Sequence, residues 1–269
     1  MCLSSVYVNR ALYIFDLDGV IYRGNNPQPY AAETIATLKA RGCSVFYLTN
    51  NASQTRQTFA DKLLGMGIPA TADEFMTSSY GTALWFREFG HTGKRVYVVG
   101  ENGCKEELTR AGMRIVDSDD CLSADFVVVG MDRSFNYERL NCAQQAILHG
   151  ATFIATNRDP TYPMETGLRP GGGSIVAAVA TAAMQEPITI GKPEVYCIRQ
   201  ILELTGKSRD EAAMVGDRLD TDIAVGNRAG IHTVAVMGGV TTREEAEAAE
   251  GEHRPERIIE TLRELLEPR

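Results

Sequence analysis

Phe15-Asp16-Leu17-Asp18-Gly19-Val20 places two carboxylates two residues apart, where an apolar run gives way to a turn. So spaced, Asp16 and Asp18 can reach one bound phosphate from different sides, one attacking and the other handling the proton. Phe46-Tyr47-Leu48-Thr49-Asn50-Asn51 is a second apolar run entering a turn. Thr49 offers a hydroxyl there, and the backbone N–H groups of the turn can point at anion oxygens as a small nest. The same residues equally suit a cap and turn ahead of a helix near Ser53. Gly191-Lys192-Pro193 sets a lysine at a strand end, before a helix whose first turn Pro193 is expected to form. Lys192 can neutralise a phosphate and the Asp16 charge together. Met214-Val215-Gly216-Asp217-Arg218-Leu219-Asp220-Thr221-Asp222 puts Asp217 at a strand end and Asp222 in the opening turn of a helix. Hard carboxylate oxygens with no His or Cys in the motif favour Mg²⁺ over zinc, and Asp220 is expected to cap the helix.

Residues of these types act together only if the chain brings them to one edge. Short β-branched or aromatic runs ending in Gly, Asn or Asp alternate with stretches of helical spacing, which predicts an α/β fold. Strands are predicted over 11–15, 44–49, 94–100, 125–130, 152–156, 187–190, 212–215 and 233–236. Helices are predicted over 31–40 with a stop at Arg41-Gly42, and over 53–66, 105–112, 137–149, 174–184 and 258–266. A Pro- and Gly-rich loop is predicted through Gly173, with Gly171 to Gly173 a flexible entry to the following helix; that run lacks the Lys-Ser/Thr of a nucleotide P-loop.

The composition excludes other classes. A net charge of −8 gives no overall positive field for a nucleic acid polymer or an anionic membrane, so a small molecule is the expected partner. Cys2, Cys43, Cys104, Cys121, Cys142 and Cys197 are scattered singly and read as reduced thiols in a cytoplasmic protein. No signal peptide is read at the N-terminus, and the Ala-rich stretch 174–184 is too short to span a bilayer.

Taken in order, each at a strand end, the four motifs resemble those of the haloacid dehalogenase-like (HAD) hydrolase superfamily. Its signatures are Asp-x-Asp-Gly, a strand-terminal Thr, a Lys and Gly-Asp-x-x-x-Thr-Asp, and all stand in this sequence. The resemblance implies a Rossmann-like parallel-sheet core with an inserted α/β cap. Between Asp16 and Thr49 there is room for only one crossover helix and the next strand, whereas Thr49 to Lys192 is far longer than a crossover needs. The expected division is therefore core over 1–81, cap over 82–186 and core again over 187–269. Within the cap, Thr156-Asn157-Arg158-Asp159-Pro160 and Gly167-Leu168-Arg169-Pro170-Gly171-Gly172-Gly173-Ser174 resemble the branch that holds p-nitrophenyl, phosphoglycolate and pyridoxal phosphate phosphatases and ribonucleotide monophosphatases. Asn157, Arg158 and Asp159 become candidates on the substrate side. Most of that branch has Pro where Arg158 stands, which implies either a changed contact to the leaving group or a side chain turned to solvent.

By this resemblance the protein is a Mg²⁺-dependent phosphatase acting on a small phosphorylated metabolite through an aspartyl-phosphate. Asp16 is the nucleophile and Asp18 the acid/base. Thr49, the Asn50 N–H and Lys192 stabilise the phosphoryl oxygens. Asp16, the Asp18 carbonyl, Asp217 and Asp222 hold the metal. The resemblance leaves room for a homodimer through the cap. Two alternatives share the motifs: a phosphotransferase or phosphomutase passing the group to a second hydroxyl, and a non-catalytic member that only binds phosphometabolites.

Overall fold

The computed structural model describes residues 10–164 and 167–267; Cys2 lies outside them. The chain divides into two compact units. One holds the described residues through Leu48, Ala60–Phe75 and those from Ile198 onward; the other holds Thr49–Phe59 and Met76–Cys197.

The first unit opens on β1 (Leu12–Phe15), whose four side chains are all buried. A small antiparallel pair, β2 (Tyr22–Arg23) and β3 (Asn26–Pro27), precedes α1 (Ala31–Ala40). Ala31, Ile35 and Leu38 bury one stripe of α1. The helix stops where Gly42 takes φ +81° and the Cys43 N–H reaches back to the Leu38 carbonyl, a left-handed cap that glycine adopts at little cost. Next come β4 (Ser44–Thr49), α2 (Arg56–Gly65) and β5 (Phe75–Thr77). Tyr47 of β4 stacks on Phe75 at 4.8 Å between centroids, a contact worth about 1 kcal/mol beyond its buried area.

The second unit is built on α3 (Ser78–Glu88), β6 (Arg95–Val99), α4 (Asn102–Arg110), β7 (Arg114–Val116), β8 (Phe126–Val129), α5 (Tyr137–Leu148), β9 (Thr152–Ala155), β10 (Thr161–Met164), β11 (Gly167–Pro170), α6 (Gly172–Ala183) and β12 (Ile188–Thr189). Five of its strands form a parallel sheet in the order β12-β9-β8-β6-β7. Val129, Phe153, Val176 and Val179 share its core, because a parallel strand covered on both faces must be apolar on both. The stretch predicted as loop holds the antiparallel pair β10–β11; its Pro and Gly content hid the strands. The glycine run is no flexible entry. α6 begins within it, and a Cβ at Gly173 would lie 2.2 Å from the Arg158 carbonyl oxygen, so glycine permits a close backbone approach.

The chain then runs through α7 (Tyr196–Thr205), β13 (Ala212–Gly216), α8 (Ala224–Ala229), β14 (His232–Val236), α9 (Arg243–Ala248) and β15 (Arg257–Ile259). The main sheet has the order β15-β14-β13-β1-β4-β5, and β1 is parallel to both neighbours, with Phe15 opposite Tyr47 and Val215. The carboxyl ends of β1 and β13 therefore lie side by side, the edge where α/β sheets carry ligands. Two expectations need correction. The predicted terminal helix is β15 followed by a 3₁₀ turn over Leu262–Leu266, because Ile258 pairs with Ala235 of β14 and a Thr261–Glu264 capping box starts a new turn. Pro193 does not set a helical turn, since α7 starts three residues later, and the Lys192–Pro193 peptide is cis.

Five free cysteines lie among the described residues, and burial pushes the Cys104 and Cys197 thiols up to about 12, which keeps them protonated. No helix among the described residues is long and apolar enough to cross a membrane.

Candidate active site

Asp16 and Asp217 continue the neighbouring strands β1 and β13, and the Asp16 N–H donates to the Val215 carbonyl at 2.9 Å. Asp222 follows in a single π-type turn, Leu219–Ile223. One carboxylate oxygen from each of Asp16, Asp217 and Asp222 lies within 4.8 Å of the others, and all three residues are buried. Three buried carboxylates repel one another in a low-dielectric setting unless a cation joins them. A set made of carboxylate oxygens suits Mg²⁺.

The backbone around Asp217 is shaped to admit it. A Cβ at Gly19, where φ is +95°, would lie 2.3 Å from Asp217 Oδ2, and one at Gly239 would lie 1.9 Å from the same atom. Asp217 Oδ2 accepts the Val240 N–H at 2.8 Å, and Asp222 Oδ2 accepts the Asp217 and Arg218 N–H groups at 3.1 Å each. Gly216 faces Asp222 in the same way, a Cβ there falling 2.1 Å from Asp222 Cβ. Asp18 is half-buried in the turn that Gly19 closes by donating to the Tyr22 carbonyl. The Lys62 ammonium lies 3.6 Å from the centroid of the Tyr22 ring; burial lowers its pKa, and the Asp18 charge acts in the opposite direction.

The second unit carries the other candidates. Thr49 is buried and its Oγ1 accepts the Asn51 N–H at 3.1 Å, while Asn51 Oδ1 accepts from the Ser53 N–H and hydroxyl. Asn50 Oδ1 accepts the Lys192 N–H at 2.8 Å, and Nδ2 donates to the Lys192 carbonyl at 3.0 Å. Asn157 donates to the Asn50 carbonyl at 2.7 Å, and Asp159 accepts from Asn50 Nδ2. Arg158 stands apart from this group: its half-exposed guanidinium donates to Glu186 at 2.7 Å.

A family model of haloacid dehalogenase-like hydrolases matches residues 13–114, and a second, HAD-hydrolase-like, matches residues 189–265. Over 239 residues the chain is 40% identical to the acid sugar phosphatase of Staphylococcus saprophyticus, covering 89% of this chain and 91% of that protein. Over 254 residues it is 38% identical to the 5'-nucleotidase YutF of Bacillus subtilis, covering 94% and 96%. Among solved structures it is similar to a glycerol phosphate phosphatase from Mycobacterium tuberculosis in complex with magnesium, at a TM-score of 0.89 and 34% identity over 95% of this chain and 76% of that one. The chain belongs to the haloacid dehalogenase-like hydrolases. Within that family it is a phosphoric monoester hydrolase.

One local expectation fails in this HAD chain. Asp220 does not cap the helix: its carboxylate pairs with Arg218 at 2.8 Å, and Asp222 is the residue that accepts the N–H groups of the turn. Gly19 and Gly216 stand in the sequence signatures without a role of their own, and Gly239 was not singled out there at all. Their signal was present, since each adjoins or follows a strand-end acid or apolar run, but only the fold shows which carboxylate they admit. The Asn50 side chain was missed too, because its partners are more than a hundred residues away in sequence.

Proposed function

We propose that this HAD phosphatase hydrolyses a small phosphate monoester through an aspartyl-phosphate on Asp16, with Mg²⁺ as cofactor. The buried Asp16–Asp217–Asp222 cluster, formed at the ends of two adjacent parallel strands and in the turn after the second, carries the reading. Asp16, the Asp18 carbonyl and Asp217 would hold the ion, with Asp222 ligating directly or through water. The bound ion would supply charge compensation between anionic nucleophile and anionic ester.

The chain's own groups perform the steps. Asp16 attacks phosphorus in line, forming the aspartyl–phosphorus bond as the ester P–O bond breaks. Asp18, protonated, gives its proton to the leaving alkoxide, then takes one from the water that hydrolyses the acyl phosphate, and so returns to its starting state. Thr49, the Asn50 N–H and Lys192 offset the charge that gathers on the equatorial oxygens. The segment 82–186 acts as a cap and decides which alcohol the phosphate is removed from. Support comes from the order of the four motifs, the buried carboxylates and the magnesium complex of a similar phosphatase.

The test is release of p-nitrophenolate from p-nitrophenyl phosphate by chelator-treated protein, with and without added Mg²⁺, beside the Asp16→Asn variant. Restoration by Mg²⁺ and no turnover by the folded variant are expected. Full turnover without metal, or by Asp16→Asn, would overturn the mechanism.

A further inference from the structure

The Asn50 carboxamide ties together stretches of chain that are remote in sequence. It closes a two-bond ring with the backbone of Lys192, Oδ1 accepting the N–H at 2.8 Å and Nδ2 donating to the carbonyl at 3.0 Å. The same Nδ2 faces the Asp159 carboxylate, 3.1 Å from each oxygen. These partners permit one orientation of the amide. Turned over, its NH₂ would meet the Lys192 N–H and its oxygen would meet a carboxylate.

The Asn50 backbone is held as firmly. Its carbonyl accepts Asn157 Nδ2 at 2.7 Å and Ser78 Oγ at 2.8 Å, and Asn157 Oδ1 accepts the Asp159 N–H at 3.1 Å. Gly191 leaves the space the carboxamide needs, since a Cβ there would lie 2.5 Å from Asn50 Oδ1. Asn50, Asn157 and Lys192 are all buried, where a satisfied polar network is stiff and a broken one is costly.

We propose that the Asn50 carboxamide and the Asp159 carboxylate are positioning groups for Lys192. The carboxamide fixes the lysine backbone, Asp159 fixes the carboxamide, and Asn157 ties Asp159 to the Asn50 carbonyl. The inference rests on the reading of Lys192 as the cation at the transferring phosphoryl group. A lysine ammonium rides on a flexible four-carbon stem, so its placement depends on where its backbone is anchored. The oxygens it serves are common to all phosphate esters. Disturbing its anchor should therefore lower kcat alike for every ester, whereas losing a contact to the leaving group would change KM differently from one ester to another.

The experiment measures kcat, KM and thermal midpoint for wild type, Asn50→Asp, Asp159→Asn and the double variant, on two esters with different leaving groups that the wild type turns over. Asn50→Asp sets an oxygen against Asp159 and is expected to lower kcat by ~100-fold on both esters, the scale of a small misplacement of a catalytic group. Asp159→Asn alone should cost roughly 3- to 10-fold, as for one weakened hydrogen bond. In the double variant the amide introduced at position 159 donates to the carboxylate introduced at position 50, and kcat should recover by ~10-fold over Asn50→Asp, a non-additivity expected only of residues in direct contact. Additive losses, or effects confined to KM that differ between esters, would overturn the positioning role. If Asn50→Asp does not fold, Asp159→Ala takes its place, with an equal kcat loss on both esters in support and an ester-dependent KM change against. Asp16→Asn is assayed in parallel. Turnover by that variant overturns the underlying reading, whereas an inactive Asp16→Asn with additive effects at 50 and 159 overturns the positioning role alone.

Discussion

The two units assemble chemistry by opposite means. In the first, three carboxylates come from two neighbouring strand ends and one turn, and the backbone makes room for them through glycine. In the second, a single lysine is placed by neutral amides and one carboxylate drawn from segments near residues 50, 157 and 192. Buried like charges held together repel one another, so on the proposed reading the first arrangement should respond to metal. A satisfied amide network has no such demand, and the second should not.

The largest test of that contrast exchanges one charge for none. Asp217→Asn should lower kcat by ~10³-fold, the scale of losing a metal's charge stabilisation, while the protein stays folded. It should also abolish the rise in thermal midpoint that Mg²⁺ is expected to give the wild type, a rise equivalent to ~2.7 kcal/mol at a hundredfold excess over Kd. Lys192→Ala should lower kcat by ~10²- to 10³-fold yet keep that Mg²⁺-dependent rise, because the role proposed for it is at the phosphoryl oxygens. If Lys192→Ala loses the metal response as well, the two arrangements are not separable in this way.

A smaller effect should come from steric loss at the acidic cluster. Gly19→Ala forces a Cβ toward Asp217 Oδ2 from a left-handed backbone, and should cost ~1–3 kcal/mol in urea unfolding together with most of the activity. Gly42→Ala shares the positive φ but meets nothing within 4 Å, so it should cost ~1 kcal/mol and leave kcat unchanged. The difference between the two variants isolates the crowding at Asp217.

The smallest effect concerns acid. Burial pushes the Asp132 carboxyl up, but the Ser134 hydroxyl and N–H and the Arg139 guanidinium outweigh it and hold the pKa below the ordinary carboxylate range. A pKa depressed by folding contributes stability that is present above the unfolded value and lost as pH falls through the folded one. Asp132→Asn should therefore be less stable than wild type by ~1 kcal/mol at pH 7, with the gap closing below about pH 4. A gap that persists unchanged at low pH would show that packing, not charge, is responsible.

The acidic cluster was legible because its information is local. Asp16 and Asp18 share one turn, Asp217 and Asp222 another, and β-branched or apolar runs such as 12–15 and 212–216 announce buried strands. The helix over Ala31–Ala40 was equally legible, its apolar stripe ending at a glycine that can take positive φ. What escaped was short or remote. The three-residue strands β5, β7 and β15 are too brief to display a period, and the two isoleucines of β15 lie in a stretch whose spacing also fits a helix. The Asn50 network has no sequence signature, because hydrogen bonds between distant segments exist only once the chain has folded.

The nucleophilic role proposed for Asp16 is tested most directly by an attempt to trap an aspartyl-phosphate. p-Nitrophenolate leaves without a proton, so Asp18→Asn should permit the first step on p-nitrophenyl phosphate and stall the second. Mixing that variant with substrate and Mg²⁺, then quenching in acid, should give a burst of one nitrophenolate per enzyme and a phosphoryl group on the peptide that carries Asp16, read by mass spectrometry. Steady turnover with neither a burst nor phosphate on that peptide would contradict the account.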